Sequence, residues 1–519
     1  MKMNELLDRF VKKTFFPLLI LLGINIVSGI LTFRAYGMSW DEPLFYNYAD
    51  SIRMAYTPQA FSPGFDFEQV FGKSPEDHKI YGPAYLLLAH PVEQFIMSAA
   101  NADLAPAWHL VNFLTFQAGL IGFFFLIRRW ISPWSAAAAT AFFSWQPVFW
   151  GHAFINPKDI PFMVLFLFSM LFGFNLVDRL TENKGFPWKT FIAAVLLLGL
   201  SSATRIIGPL AGILIFIYFI LKRSWRSSFY FLLYALLSIA VMFIFWPYLW
   251  SSPVDRFIEV LKHMSNNPTE LAVLFEGQLF RANAMPRRYL LEMMFITLTE
   301  PTWILFLAGL ILMIKRMIQK NIDWRDSSLF LGLFVFMMAY LVYNRPSVYD
   351  GFRHFLFIMP PVFAVIGFAF EWFWQKLRAP IFVILVMALM APGVFGIIHL
   401  YPYEYAYYNQ FVNGLTGAYR NYETDYWLTC YKEAVEWTQL NKPGSPLHIQ
   451  REFDLAEYYN HGGNMIDLQK EPETAIGKGD LILFHTRGDL DIRSVLRKLP
   501  VVHTIGRDGA VFCMIKQNQ

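Results

Sequence analysis

The sequence predicts an all-α polytopic membrane protein of about eleven transmembrane helices, closed by a small extracytoplasmic α/β domain. Three observations predict it. The chain is 56% hydrophobic and only 16% charged, against about 25% charge in soluble domains. Its apolar runs are separated by short loops, and every second loop is basic. After Leu400 the composition turns polar, and short strand and helix patterns replace the long runs. Aromatics at 18% fit many helix ends at a lipid–water interface. The net charge of +4 follows from the basic loops, and no basic stripe points to nucleic acid. The two cysteines, Cys430 and Cys513, read as unpaired thiols.

Residues 15–33 form the first span, too long and too poorly terminated for a cleaved signal. Lys2, Arg9, Lys12 and Lys13 precede it, which places the N-terminus in the cytoplasm. The stretch 81–100 is interrupted by His90, Pro91, Glu93 and Gln94 and reads as helix lying at the interface. Further spans are expected at 107–127, 133–151, 160–177, 188–204, 206–221, 228–247, 293–314, 327–343, 354–374 and 380–400. Inside loops then hold Arg128/Arg129, Arg179/Lys184/Lys189, Lys222/Arg223/Arg226, Lys315/Arg316/Lys320/Arg325 and Lys376/Arg378. A twelfth span at 81–100 would break this rule from the second span onward. The outer segments are 34–106, 248–292 and the tail 401–519. The second carries Val254, Phe257, Ile258 and Leu261 at helical spacing, an amphipathic helix for the membrane surface. The tail predicts a helix at 431–440, strands at 447–450, 481–485 and 511–515, and a helix near 492–498. No internal repeat is present.

The polar clusters fall on the outer side. Asp41-Glu42 follows the first span, between Trp40 and Pro43. An acidic pair at headgroup depth is costly unless used or paired. It reads either as a general base with a tuning partner or as a solvated loop acid that caps a helix. In the first reading, a neighbouring carboxylate and partial burial raise the Asp41 pKa from about 3.9. Asn156-Pro157-Lys158-Asp159-Ile160-Pro161 opens a later span. Asp159 suits a helix N-terminus, or a pocket shared with Asp41. Arg205 and Arg353-His354 oppose the positive-inside bias and call for an anion. A lipid phosphate supplies one with oxygens that match the guanidinium fork; the competing structural reading pairs them with Asp350, Glu300 or Asp159. Arg353 favours phosphate, both readings stand for Arg205, and Lys158 is a weaker candidate of the same kind. No cofactor is demanded, and a divalent cation between the two loop acids has no further ligand of recognisable spacing. Trp246-Pro247-Tyr248-Leu249-Trp250 reads as an aromatic belt. Asp425-Tyr426-Trp427 carries no derivable mechanism. Asp489-Leu490-Asp491 looks like the acid-x-acid pattern of nucleotide-sugar enzymes, but it lies outside, where such sugars are absent.

Taken in order, Trp40-Asp41-Glu42, Tyr81-Gly82-Pro83, the 156–161 motif and Arg353-His354-Phe355-Leu356-Phe357-Ile358-Met359-Pro360-Pro361 form a set. With it the chain resembles the GT-C membrane glycosyltransferases, over residues 1–400. The class it is most similar to is the protein O-mannosyltransferase family with its bacterial relatives, which include lipid A aminoarabinose transferases. It departs from the eukaryotic members: 248–292 is too short for their large inserted domain, and an α/β tail at 401–519 follows instead. The resemblance implies a polyprenyl-phosphate-sugar donor. The residues agree independently, because an outer site without nucleotide sugars needs energy delivered through the membrane.

The mechanism expected from this is inverting transfer to an acceptor hydroxyl, on a protein, a glycolipid or a cell-wall polymer. Asp41 takes the proton, Glu42 and Asp159 orient the acceptor or tune Asp41, and Arg353 holds the leaving phosphate with Arg205, His354 or Lys158. The protein is expected in the cell membrane, multi-pass, its tail extracytoplasmic. The rival readings are a lipid or polysaccharide flippase and a non-catalytic assembly protein. A transporter should carry ionisable residues at mid-span, and these spans are nearly free of them.

Overall fold

A computed structural model describes residues 15–182, 185–222, 227–265, 270–470 and 476–519. Lys2, Arg9, Lys12, Lys13, Lys184, Arg223 and Arg226, used above for topology, lie outside the described residues. The long apolar runs of the first 400 residues become helix. The helices are α1 (Phe16–Thr32), α2 (Glu42–Ile52), α3 (Ala84–Ala100), α4 (Leu104–Ile127), α5 (Pro133–Ser144), α6 (Pro147–Ile155), α7 (Asp159–Glu182), α8 (Trp188–Ser202), α9 (Pro209–Leu221) and α10 (Ser228–Ile244). After them come α11 (Pro253–Ser265), the hairpin β1 (Ala272–Phe275) and β2 (Gln278–Arg281), α12 (Tyr289–Thr297), α13 (Pro301–Ile318), α14 (Trp324–Asn344), α15 (Pro360–Lys376) and α16 (Ala379–Leu400). Among the described residues, α4, α7, α13, α14 and α16 are long and apolar enough to cross a membrane, and α1, α8, α9 and α10 are shorter apolar helices. The chain is a multi-pass membrane protein.

Burial separates the centre from the rim. Over their most apolar 18 residues, α4 and α7 are 72% and 78% enclosed, against 22% for α13 and 28% for α16, whose sides are left for lipid. α7 packs on α4, α8 and α9, while α15 packs on α5 and α13. α3 is one continuous helix through Pro91; it buries His90 and Glu93 and exposes Leu88, Val92 and Phe95.

Two expected spans are broken. Residues 133–151 divide into α5 and α6 at Pro147, which cannot donate a backbone hydrogen bond. The 293–314 stretch divides into α12 and α13 ahead of Pro301. Gln146 closes both breaks: its amide donates to the Phe142 carbonyl (3.1 Å) and the Thr299 hydroxyl (3.0 Å), and accepts from the Thr299 N–H (2.9 Å). Buried in the bundle, these groups have no water to turn to. A third expected span, 354–374, starts late, because α15 begins at Pro360 and a 3₁₀ turn at Arg353–Ile358 precedes it.

The tail builds α17 (Tyr431–Asn441), β3 (Leu447–Ile449), β4 (Met465–Asp467), β5 (Leu481–His485), β6 (Val501–Arg507) and β7 (Ala510–Gln517). The sheet order is β4-β3-β5-β7-β6, parallel at β4/β3/β5 and antiparallel at β5/β7 and β7/β6. The expected helix at 492–498 is instead a short turn of α-helix and one of 3₁₀ helix. Two expectations are overturned. Cys430 and Cys513 are joined in a disulfide. Trp246, read as an aromatic belt, is fully buried and donates its indole N–H to the Lys79 carbonyl (3.1 Å), a joint to the first outer segment.

Candidate active site

Four connections at one end of the helices bring the expected polar residues together. The α1–α2 loop supplies Asp41, the α6–α7 turn supplies Lys158 and Asp159, the α8–α9 turn supplies Arg205, and the turn before α15 supplies Arg353. Asn156 builds its own corner. Its side-chain oxygen accepts from the N–H groups of Lys158 (3.2 Å) and Asp159 (2.8 Å), and its amide donates to Asp159 Oδ2 (3.1 Å). This satisfies orphan donors at the start of α7 and fixes the Asp159 rotamer. Gly82 sets the height of the Arg205 turn. A Cβ there would lie 2.0 Å from the Ala203 carbonyl oxygen, and the Ala84 N–H bonds that same oxygen (3.1 Å).

The charges interlock. Asp41 Oδ2 receives Arg353 Nη1 (2.8 Å) and Lys158 Nζ (3.1 Å). Asp159 pairs with Arg205 Nη1 (2.5 Å) and lies 3.9 Å from Arg353 Nη1. Arg205 Nη1 also donates to the His354 carbonyl (3.2 Å). The His354 ring itself packs edge-on against Tyr349 (4.6 Å). Arg353 spends its remaining edge on Asp350, through Nε (3.2 Å) and Nη2 (3.1 Å). Asp350 adopts a left-handed backbone (φ 56) ahead of Gly351 (φ 67), a conformation Asp tolerates better than most residues. Lys158 also lies 5.2 Å from the ring centres of Phe45 and Tyr81.

Exposure divides the cluster by role. The side chains of Arg353 and Asp159 are 1% exposed, whereas Asp41, Lys158 and Arg205 keep 20%, 10% and 14% open. A ligand therefore meets Asp41, Lys158 and Arg205 first. Burial would raise the Asp41 pKa, but Lys158 and Arg353 outweigh it and hold the carboxyl well below the usual range. That reverses the upward shift expected from a carboxylate neighbour. Glu42 is no such neighbour. It turns away into a closed network with the Ser39 N–H (2.5 Å), the Tyr46 hydroxyl and His109 Nε2 (3.1 Å), all buried.

Three participants carry no signal in the sequence. Trp427, fully buried, lies 5.0 Å beneath the Arg353 guanidinium and accepts the Trp40 N–H at its carbonyl (3.2 Å). Asp350 Oδ1 lies 2.8 Å from Arg487 Nη2, so the tail contributes a cation. Tyr426 bonds His152 Nε2 through its hydroxyl (3.0 Å). The discounted Asp489 and Asp491 are both held by Arg420 (2.6 and 2.5 Å). A divalent cation fits the cluster poorly. Asp41 and Asp159 are already matched by Lys158, Arg205 and Arg353, and among the described residues the only converging ligand trio is Asp425, Cys430 and Cys513. Its two sulfurs are spent in the disulfide.

No protein-family model and no curated protein matches the sequence. Solved structures do. ArnT from Cupriavidus metallidurans bound to undecaprenyl phosphate superposes with a TM-score of 0.52 at 11% identity, over 96% of this chain and 97% of that one. The Archaeoglobus fulgidus oligosaccharyltransferase in its apo form gives 0.54 at 12%, over 94% and 71%. The same enzyme tethered to an acceptor peptide containing the NVT sequon gives 0.51 at 13%, over 94% and 70%. The chain has the GT-C fold. The α/β tail is aligned along with the helices of that fold, since the ArnT match extends over 96% of the chain.

Proposed function

We propose that the protein is a membrane glycosyltransferase, mannosyltransferase-like, that moves a sugar from a polyprenyl-phosphate donor to an acceptor hydroxyl with inversion. The observation that carries this reading is a partly open carboxylate set against a surplus of ion-paired cations at one end of a GT-C bundle. Two of those cations, Lys158 and Arg205, retain exposed surface for an incoming phosphate. The undecaprenyl phosphate in the similarly folded ArnT supports a lipid-phosphate donor. The acceptor peptide on the similarly folded oligosaccharyltransferase supports a protein acceptor; a glycolipid or cell-wall polymer offers a hydroxyl equally.

In this reading Asp41 is the general base. Lys158 and Arg205 take the leaving phosphate, whose low basicity makes a general acid unnecessary. His354 lends its carbonyl to Arg205, Asp159 holds that arginine in place, and Arg353 holds Asp41. Glu42 fixes the 39–42 turn from below. Phosphate arriving at Lys158 draws one cation away from Asp41. The carboxylate then becomes more basic as the acceptor needs it. Eleven spans, a cytoplasmic N-terminus and an extracytoplasmic tail complete the proposal.

Turnover is tested in liposomes with radiolabelled polyprenyl-phosphate sugars and membrane extract as acceptor. Asp41→Asn should lower turnover by about 10²–10⁴. Full turnover in the folded variant removes Asp41 as base. Absence of transfer from every lipid-linked sugar moves the protein to the flippase or assembly class.

A further inference from the structure

Arg487 reaches the cluster from the turn after β5, and its side chain is 3% exposed. Its Nη2 lies 2.8 Å from Asp350 Oδ1, and its Nη1 donates to the Tyr426 carbonyl. The guanidinium also lies 4.1 Å from the ring centre of Trp40, the residue before Asp41. Asp350 hands on the connection with its other oxygen, which holds Arg353, and Arg353 Nη1 holds Asp41. Charges of alternating sign thus run Arg487–Asp350–Arg353–Asp41 from the tail into the site. Three of the four are almost free of water, so each acts strongly on the next.

The tail fixes this arginine from several sides. Gly488 (φ 58) and Asp489 (φ 55) make a left-handed turn, and the Gly488 N–H bonds the Glu423 carboxylate (3.2 Å). Arg420 clamps Asp489 and Asp491. The disulfide ties the segment after Trp427 to β7, where Cys513 pairs with His485, two residues before Arg487. A buried cation supported in this way is matched to the carboxylate it faces.

The charge count gives the consequence. Among the directly ion-paired groups, Lys158, Arg205, Arg353 and Arg487 are four cations against three carboxylates, Asp41, Asp159 and Asp350; Glu423, which also faces Arg487, joins them only above about pH 7, to which burial pushes its carboxyl. Without Arg487 the two counts are equal. Asp350 then falls wholly on Arg353, and nothing is left over for an incoming anion.

We infer that Arg487 is a positioning residue of the donor site: it neutralises Asp350, and so leaves the cluster the spare positive charge that a donor phosphate takes up. The inference rests on the lipid-phosphate reading above. It is tested on the full-length chain with undecaprenyl phosphate as the binding probe, alongside donor KM and kcat. Arg487→Gln should weaken binding and raise the donor KM by about tenfold, with kcat changed less. Arg487→Lys should recover most of the loss. Arg487→Gln combined with Asp350→Asn restores a surplus of one cation and should recover binding, an outcome that a purely structural role does not produce. Binding and KM unchanged in Arg487→Gln overturn the inference alone, as does a double variant no better than the single one. If Arg487→Gln does not fold, the donor KM of Arg487→Lys decides: near wild type supports the inference, and a KM raised about tenfold or more overturns it. A wild-type chain that binds no lipid phosphate and transfers no sugar overturns both readings.

Discussion

Asp41 and Glu404 show how one physical term, burial, ends in opposite states at the residue scale. Both are shut away from bulk water to a large degree. Asp41 faces two cations and stays ionised far below the ordinary range. Glu404 faces the Tyr36 hydroxyl (2.9 Å) and no cation close enough to offset its burial, which pushes its pKa up to about 8. Glu404 therefore binds its proton more tightly in the folded chain than in the unfolded one, where the value is near 4.5. The stability it contributes is complete below that value and is lost as pH rises through about 8. Glu423, pushed up to about 7, works in the same direction. The thermal midpoint is expected to fall between roughly pH 4.5 and pH 8, and Glu404→Gln to flatten part of that fall. A variant with the wild-type slope would show that Glu404 does not carry it. Asp41 contributes in the opposite sense, with stability lost only in strong acid.

At the scale of elements, the site is a set of turns fixed by helix ends, and Gly82 is the tightest joint. A methyl at Gly82 must push the Ala203 carbonyl away and move the turn that carries Arg205. Gly82→Ala is expected to cost about 1–3 kcal/mol, as overpacking does, and to raise the donor KM. A thermal scan and a donor titration check the two halves, and an unchanged pair would free the Arg205 turn from this contact. Much of this was legible in the sequence. Long apolar runs marked the helices, but the spans drawn through the prolines at 147 and 301 missed the breaks there, because an apolar run reads the same on both sides of a proline. Asp41, Lys158, Asp159, Arg205 and Arg353 were legible because charge at a span end is rare enough to demand a partner. Arg487 was not, since in a polar tail an arginine is ordinary until tertiary contacts place it. Trp246 misled because a tryptophan at a helix end looks alike whether it meets lipid or a folded loop. β6 was passed over although Asp508-Gly509, both with positive φ, is a strong hairpin signal before β7.

The whole molecule carries a cluster of ion pairs at each end, and the two are built differently. At the far end of α7, Arg129 joins Asp178 (2.6 Å) and Asp326 (2.7 Å), Lys222 joins Asp323 (2.7 Å), and Arg325 also faces Asp323 (3.4 Å). Each of these carboxylates is taken by a neighbouring helix's cation, so these pairs lock helix ends together. The other cluster, where α7 begins, surrounds Asp41 and leaves Lys158 and Arg205 partly open. Which cluster faces the cytoplasm decides the chemistry, because activated nucleotide sugars are confined to that side. The chain has two cysteines and both are in the disulfide, so an added cysteine reports alone. Lys320→Cys marks the exposed turn after α13, on the locked side, and Lys470→Cys marks the tail, where the lysine side chain is 77% exposed. In intact cells, a membrane-impermeant maleimide is expected to label Lys470→Cys at once and Lys320→Cys only after permeabilisation. The reverse pattern would turn the Asp41 cluster toward soluble nucleotide sugars, and the physical need for a lipid-borne donor would go with it.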